Sequence, residues 1–170
     1  MNVNYYNGIS GIYFSSVIAN IIKIGNLDKT NKSILDFGCG SKVLSKKLPG
    51  KKILNYDINK NYTEFDDYKK LNFDIIFFNH VLMYMSKMEI ISTFDNIKKI
   101  NRNCEIIVGM GKEGLVNKFA AIATFNFSAH KGTIVTYEQQ KKILNEKTKI
   151  LKVKKNVFFM TDIYYARFDN

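Results

Sequence analysis

Residues 36–40, Asp-Phe-Gly-Cys-Gly, have the residue types and spacing best suited to binding a ligand in this sequence. A short apolar run ends at Asp36, and Gly38 and Gly40 precede a helix-like stretch over residues 41–48. A buried strand that delivers a glycine-rich turn to a helix start lets the backbone approach a nucleotide-like ligand, because glycine has no side chain in the way. We therefore expect a ligand-binding turn at Gly38 and Gly40.

Two phosphate-binding motifs are incomplete at this turn. A dinucleotide fingerprint needs a third glycine where this chain has Val43, and the Gly-Lys-Ser/Thr ending of a Walker loop is absent. The expected ligand is therefore nucleotide-like without being recognised mainly through its phosphates.

The segment Asp36-Phe37-Gly38-Cys39-Gly40 resembles motif I of the class I S-adenosylmethionine-dependent methyltransferases. That family usually carries Asp/Glu-x-Gly-x-Gly-x-Gly, and the last position here is Lys42. Later segments resemble the family in the same order: residues 52–56 look like its second strand, 73–82 like its fourth strand and the following helix start, and 104–109 like its fifth strand. The resemblance extends over roughly residues 33–168.

The resemblance implies S-adenosylmethionine as the cofactor and assigns roles to individual residues. Asp57, which lies 17 residues after Gly40 at the end of the second strand, would accept the ribose hydroxyls. Ile58 would lie against the adenine, and Asp66 or Asp67 would meet the adenine amino group, with Asp67 preferred. The full set of expected cofactor-binding residues is Asp36, Gly38, Cys39, Gly40, Asp57, Ile58, Asp67, Asn79 and His80.

The two histidines are the candidate catalytic residues. Methyl transfer from a sulfonium needs mainly positioning of the nucleophile and exclusion of water, and one general base can assist it. Histidine changes charge near neutral pH, so His130 is expected on the acceptor side and His80 beside the cofactor. A structural role for either histidine is the alternative. We expect no metal, since the two cysteines lack metal-like spacing.

Alternating short apolar strands and helical segments predict the fold that must position these residues. We expect an α/β protein with a doubly wound, mostly parallel seven-stranded sheet, a C-terminal antiparallel hairpin and helices on both faces. Apolar spacing predicts helices over residues 9–24, 88–100 and 137–144, the last opened by Thr136 as N-cap. The terminal pair of strands is predicted within residues 149–168, around Thr161 and Asp162. Between Asp57 and residue 73 there is room for only an abbreviated helix and third strand.

We expect residues 1–170 to form one domain with two appended features. Residues 1–31 are predicted to form an N-terminal helical lid, with Tyr5, Tyr6 and Tyr13 as candidate lid residues. Residues 109–131 follow the fifth strand and are predicted to be an insertion on the acceptor side, where glycines and phenylalanines could form a lid and an apolar pocket. An amphipathic helix that covers the sheet is the alternative for this insertion.

A net charge of +11 raises the question of a nucleic-acid partner. The 26 basic residues include only two arginines, Arg102 and Arg167, so the sequence lacks the side chain favoured for bidentate phosphate and guanine recognition. A solvated lysine surface is therefore preferred to an RNA site, which would lie in residues 141–155. The chain shows no leader-like N-terminus and no apolar run of about 20 residues, which predicts a cytoplasmic protein.

The sequence thus predicts an S-adenosylmethionine-dependent methyltransferase of the EC 2.1.1 type, acting on oxygen or nitrogen of a small, partly apolar molecule. One alternative is an RNA methyltransferase that uses the basic residues 141–155. Another is a non-catalytic module that binds S-adenosylmethionine for regulation, for which the Lys42 position is the main argument. A nicotinamide oxidoreductase is disfavoured by the missing third glycine and the terminal hairpin.

Overall fold

The computed structural model describes residues 8–112, 133–156 and 160–169. These residues form one mixed sheet with helices packed on it. The strands are β1 (Ile34–Phe37), β2 (Ile53–Tyr56), β3 (Ile75–Asn79), β4 (Glu105–Gly111), β5 (Lys149–Lys155) and β6 (Thr161–Arg167). The helices are α1 (Gly8–Gly25), α2 (Val43–Lys47), α3 (Lys87–Ile100) and α4 (Tyr137–Lys147), with 3₁₀ turns at Tyr68–Lys70 and Leu82–Tyr84.

The sheet order is β2-β1-β3-β4-β6-β5. Strands β1 to β4 are mutually parallel, and β6 lies antiparallel between β4 and β5. This arrangement confirms the mostly parallel sheet and the C-terminal antiparallel pair. Thr161 and Asp162 do not lie at the turn between these two strands, because they are the first residues of β6.

The seven-stranded sheet is not confirmed, since the described residues form six strands. The chain between β2 and β3 has no strand; it contains turns closed by short polar side chains and the 3₁₀ turn Tyr68–Lys70. These side chains offer the backbone local hydrogen bonds that compete with a ladder. The edge strand β2 is partly covered instead by a single bond from the Glu64 amide to the Asn55 carbonyl, at 3.0 Å.

The helices cover both faces of the sheet, as predicted. On one face α1 and α2 pack against buried side chains of the sheet: Ile34, Ile75, Phe77, Ile107 and Ile163. On the other face α3 and α4 pack against the alternate positions of the same strands: Leu35, Ile76, Phe78, Ile106, Val108 and Tyr164. Because strand side chains alternate between faces, residues two apart share a face. Asp36, Asn79, Gly109, Gly111 and Thr161 therefore all belong to the α1 face.

Local signals in the sequence account for the starts of α3 and α4. The Ser86 hydroxyl accepts from the Glu89 amide while the Glu89 carboxylate accepts from the Ser86 amide. Thr136 and Gln139 form the same reciprocal pair. Each capping box satisfies donors that a helix start leaves unpaired. The prediction of Thr136 as the N-cap is confirmed.

Several predictions fall outside the described residues. These include Tyr5, Tyr6, His130 and nearly all of the insertion over residues 109–131. The start of that insertion is described, and Gly109 and Gly111 belong to β4. None of the described helices is long and apolar enough to cross a lipid bilayer.

Candidate functional site

The glycine turn lies at the carboxyl end of β1 and is bonded to the end of β2. The amides of Gly38 and Cys39 both donate to the Tyr56 carbonyl, at 2.8 and 3.1 Å. The Gly40 amide donates to Oδ2 of Asp57 at 2.9 Å. The sequence motif and the carboxylate that follows it thus form one structural unit, although they are 17 residues apart.

This bonding pattern bears on the ligand class. A pyrophosphate held at a glycine turn is recognised by backbone N–H groups that point at its oxygens. Here the N–H groups of Gly38, Cys39 and Gly40 all donate hydrogen bonds to acceptors within the protein. A ligand can therefore approach the backbone of the turn closely, but these three residues have no unpaired N–H group to donate to it. This favours a nucleoside ligand without a phosphate at this point.

The two glycines are required for different reasons. Gly38 has a φ of +79°, and a Cβ built on it would lie 2.6 Å from Cγ2 of Val81. Gly40 has a φ of +46°, and a Cβ there would meet no atom within 4 Å among the described residues. Gly38 is therefore needed for packing against the segment after β3, whereas the open side of Gly40 faces space that a ligand can use.

Asp57 organises the loop and still has acceptor capacity for a ligand. Its Oδ2 accepts from the Gly40 amide, and its Oδ1 accepts from the Asn59 amide at 2.9 Å. A carboxylate has about four lone-pair sites, so these bonds leave capacity for ribose hydroxyls. The predicted ribose contact is compatible with this geometry and stays a prediction.

Asp36 and Asn79 provide acceptors on the α1 face of the sheet. Asp36 is buried, with 4% of its surface exposed. Burial, reinforced by the negative charge of Asp57, raises the pKa of the Asp36 carboxyl to about 7. Oδ1 of Asn79 is also buried and has no hydrogen-bond partner within the described chain. A buried acceptor without a donor is costly, so a ligand N–H group fits beside Oδ1 of Asn79.

Lys42, which replaces the third glycine of the motif, keeps the backbone conformation that glycine favours. Its φ is 57° and its ψ 43°, in the left-handed region. Its ammonium forms an ion pair with Glu64 at 2.8 Å, and Glu64 also accepts from Nδ2 of Asn55 at 3.0 Å. These bonds lower the pKa of Glu64, with the Lys42 hydrogen bond the largest cause. The lysine at this motif position thus links the glycine turn, through its ion pair, to the segment that follows β2.

The other residues predicted to bind the cofactor, Cys39, Ile58 and Asp67, differ in exposure and in hydrogen bonding. Cys39 is buried, its thiol lies 3.6 Å from the Tyr62 carbonyl, and burial raises its pKa to about 12. Ile58 is 93% exposed and free to cover a flat ligand. Asp67 caps the 3₁₀ turn Tyr68–Lys70 by accepting from the Lys69 amide at 3.0 Å. The adenine contacts of Ile58 and Asp67 stay predictions.

His80 directly follows β3 and lies close to Gly109 of β4 and Thr161 of β6. Its Nε2 is 3.1 Å from Oγ1 of Thr161, and its amide donates to the Gly109 carbonyl at 2.9 Å. The Tyr13 hydroxyl forms a hydrogen bond with the same Thr161 oxygen. The structure therefore brings His80 next to α1, and sequence reasoning did not find Thr161 as its partner.

Comparison of the whole fold with solved structures gives consistent matches. Magnesium protoporphyrin IX methyltransferase (ChlM) from Synechocystis PCC 6803, with bound S-adenosylhomocysteine (SAH), aligns with a TM-score of 0.63 at 18% identity, over 97% of this chain and 91% of that one. The N-methyltransferase NodS from Bradyrhizobium japonicum WM9, also with SAH, gives 0.67 at 14% identity, over 93% and 88%. Small RNA methyltransferase HEN1 gives 0.69 at 14% identity, over 100% of this chain and 27% of that one.

The chain has the class I methyltransferase fold. No protein-family model and no curated protein sequence matches it. The class I fold places ligands beyond the carboxyl ends of the parallel strands, which is where the glycine turn, Asp57 and His80 lie.

The basic segment of residues 141–155 is spread over one side of this methyltransferase fold. Strand β5 is separated from β1 by three strands, a distance of roughly 19 Å at about 4.8 Å per strand. Lys155 pairs with Asp162 near the carboxyl edge, whereas Lys149 pairs with Arg167 at the opposite edge. The lysines are therefore not gathered beside the glycine turn.

Proposed function

We propose that this protein is an S-adenosylmethionine-dependent methyltransferase that acts on oxygen or nitrogen of a small, partly apolar molecule. The observation that carries the proposal is the unit formed by the glycine turn and Asp57. All three amides of Gly38, Cys39 and Gly40 are used to hold the turn against β2, while the carboxylate keeps free acceptor sites. That combination suits a nucleoside whose ribose is recognised and whose sulfur side chain continues along the sheet edge.

The charge of the cofactor agrees with the acceptors on the α1 face. S-adenosylmethionine carries a sulfonium and an α-ammonium group, and the ammonium is an N–H donor. The buried Asp36 carboxyl and the unpaired Oδ1 of Asn79 lie at adjacent strand ends on this face and would accept from it. Electrostatic attraction to the cation would favour the ionised form of Asp36, so binding below pH 7 would release a proton.

Exposed side chains in the segments after β3 and before α4 support a partly apolar acceptor. Tyr84 and Ile134 are 45% and 61% exposed, and the Ile134 amide donates to the Met83 carbonyl at 2.8 Å. The segments that follow β3 and that precede α4 are thus held together beside the carboxyl edge. Exposed apolar side chains at such a position provide contact area for a small organic acceptor.

Methyl transfer with labelled cofactor tests this proposal. The protein is incubated with S-adenosylmethionine labelled at the methyl group, and label is followed separately into a small-molecule extract and into total RNA. We expect label in the small-molecule fraction, and loss of transfer in Asp57→Asn, which removes the charge and one carboxylate oxygen. Asp95→Asn is the matched control, because Asp95 pairs with Lys147 on the far face of the sheet.

The same experiment separates the alternatives. Label in RNA alone would overturn the small-molecule assignment and support RNA methylation, the kind of substrate on which HEN1, a small RNA methyltransferase, acts. Cofactor binding without transfer to either fraction would support a non-catalytic binding module. Absence of cofactor binding would overturn the proposal as a whole.

A further inference from the structure

The contact between His80 and Thr161 is buried on the Thr161 side. Thr161 is fully buried, and its Oγ1 is within hydrogen-bond distance of both Nε2 of His80, at 3.1 Å, and the Tyr13 hydroxyl. Burial also raises the pKa of Tyr13, so its hydroxyl keeps its proton over the working range of most enzymes. The three polar groups thus form a chain from α1 through β6 to the end of β3.

The backbone and its neighbours further restrict the His80 ring. His80 has a φ of 55°, a left-handed conformation that non-glycine residues seldom adopt and that collects at functional sites. A Cβ built on Gly111 would lie 3.0 Å from Nδ1 of His80, so a side chain at that position would push the ring away. Phe14 lies edge-on to the ring, with centroids 6.1 Å apart.

A polar stripe on α1 fixes the helix where Tyr13 reaches Thr161. Tyr13, Ser16 and Asn20 are spaced three and four residues apart, which places them on one helix face. Ser16 and Asn20 both donate to Oδ1 of the buried Asn156, at 3.0 and 2.6 Å. The Asn156 amide in turn donates to the Thr161 carbonyl at 2.8 Å, so the stripe is fastened to the residue that follows β5 and, through it, to the start of β6.

We propose that Thr161 is a positioning residue for His80, and that Tyr13 fixes the orientation of the Thr161 hydroxyl. This inference rests on the proposed function. In the transfer, a lone pair of the acceptor forms the new bond to the methyl carbon, the bond from that carbon to sulfur breaks, and neutral SAH leaves. The proton of the acceptor passes to the imidazole of His80.

The hydroxyl geometry explains why both partners of Thr161 matter. A hydroxyl has one proton and two lone pairs, and a protonated imidazole donates from both nitrogens. When His80 becomes protonated, Thr161 accepts from its Nε2 and donates its own proton to the Tyr13 oxygen. Removal of either hydroxyl leaves a buried polar group unpaired or lets the ring turn, which impairs the base without touching the glycine turn.

Nitrogen-15 NMR of the histidine side chains tests the inference directly. The chain has two histidines, so His130→Gln assigns the His80 signals. We expect Thr161→Val and Tyr13→Phe to move the ¹⁵N shifts of His80, and Thr161→Ser to restore them. Thr148→Val and Tyr165→Phe are the controls, since the Thr148 hydroxyl bonds to the Leu144 carbonyl at 2.7 Å and Tyr165 pairs with Ile107 away from His80.

Kinetics provide the second readout. In Thr161→Val we expect kcat to fall about tenfold or more, because a general base contributes about 10²–10⁴-fold to the rate and this variant impairs it only in part. The dissociation constant of SAH should change less than about twofold. Unchanged His80 shifts and unchanged kcat in a folded Thr161→Val protein would overturn this inference alone. Failure of the wild-type protein to bind SAH or S-adenosylmethionine would overturn the proposed function, and the catalytic role of Thr161 with it.

Discussion

The buried Asp36 carboxyl makes the stability of this protein depend on pH in an unusual direction. Its pKa is raised from the ordinary value of 3.8 to about 7, chiefly by burial and secondly by Asp57. The folded state therefore holds a proton that the unfolded chain has lost, and folding stability falls as pH rises between these values. At about 1.4 kcal/mol for each tenfold change in proton affinity, the total loss is about 4 kcal/mol, and about 2 kcal/mol is lost by pH 5.5.

Asp36→Asn should remove this dependence, because an amide has nearly the shape of the protonated acid and does not ionise. Urea denaturation at intervals from pH 4 to pH 8 measures the free energy of unfolding of both proteins. We expect the variant and the wild type to be similar near pH 4, and the variant to become more stable by about 4 kcal/mol above pH 7. Parallel pH profiles for the two proteins would show that the pKa of Asp36 is not raised in the folded protein.

Asp74→Asn is the control with the opposite sign. Hydrogen bonds from the Ser33 amide and hydroxyl lower the pKa of Asp74. A lowered folded pKa contributes stability above the ordinary carboxyl pKa and loses it as pH falls. Asp74→Asn should therefore be less stable than the wild type at neutral pH, with a difference that shrinks as the solution is acidified.

Four further substitutions test the glycine turn by urea denaturation. Gly38→Ala should lower the free energy of unfolding by roughly 2–4 kcal/mol, because strain at a φ of +79° adds to a clash with Val81. Gly40→Ala should lower it by about 1 kcal/mol, since no atom lies near its Cβ position. Equal losses would contradict the different roles assigned to the two glycines. Lys42→Gly should leave stability within about 1 kcal/mol of the wild type, since relief of the left-handed backbone offsets loss of the partly exposed Glu64 ion pair. Lys42→Ala keeps the strain and loses the pair, so it should be the less stable of the two, and the reverse order would disprove this account.

Local patterns in the sequence were sufficient to predict most of the fold. The short apolar runs before Asp36, Asp57 and His80 became β1, β2 and β3, and the Thr136 cap marks the start of α4. These features depend on residues within a few positions of each other. The seventh strand, which the described residues do not contain, was predicted wrongly for the chain after β2, because the polar residues after Asp57 satisfy their backbone in turns instead of in a ladder.

The site residues that sequence reasoning missed depend on contacts between distant parts of the chain. Thr161 meets His80 across 81 positions and Tyr13 across 148. The pairing of Lys42 with Glu64 similarly requires knowledge of how the chain returns after β2. One available signal was the spacing of Tyr13, Ser16 and Asn20 on one face of a largely apolar helix, which indicates a buried polar partner.

Titration calorimetry with S-adenosylmethionine and SAH, with NADH as the control ligand, tests whether the glycine turn and Asp57 form a cofactor site. We expect both sulfur ligands to bind the wild-type protein, NADH not to bind, and Asp57→Ala to abolish binding while Asp95→Asn retains it. Binding of NADH in preference to SAH, or binding of SAH that survives Asp57→Ala unchanged, would contradict the assignment of the glycine turn and Asp57 as the cofactor site.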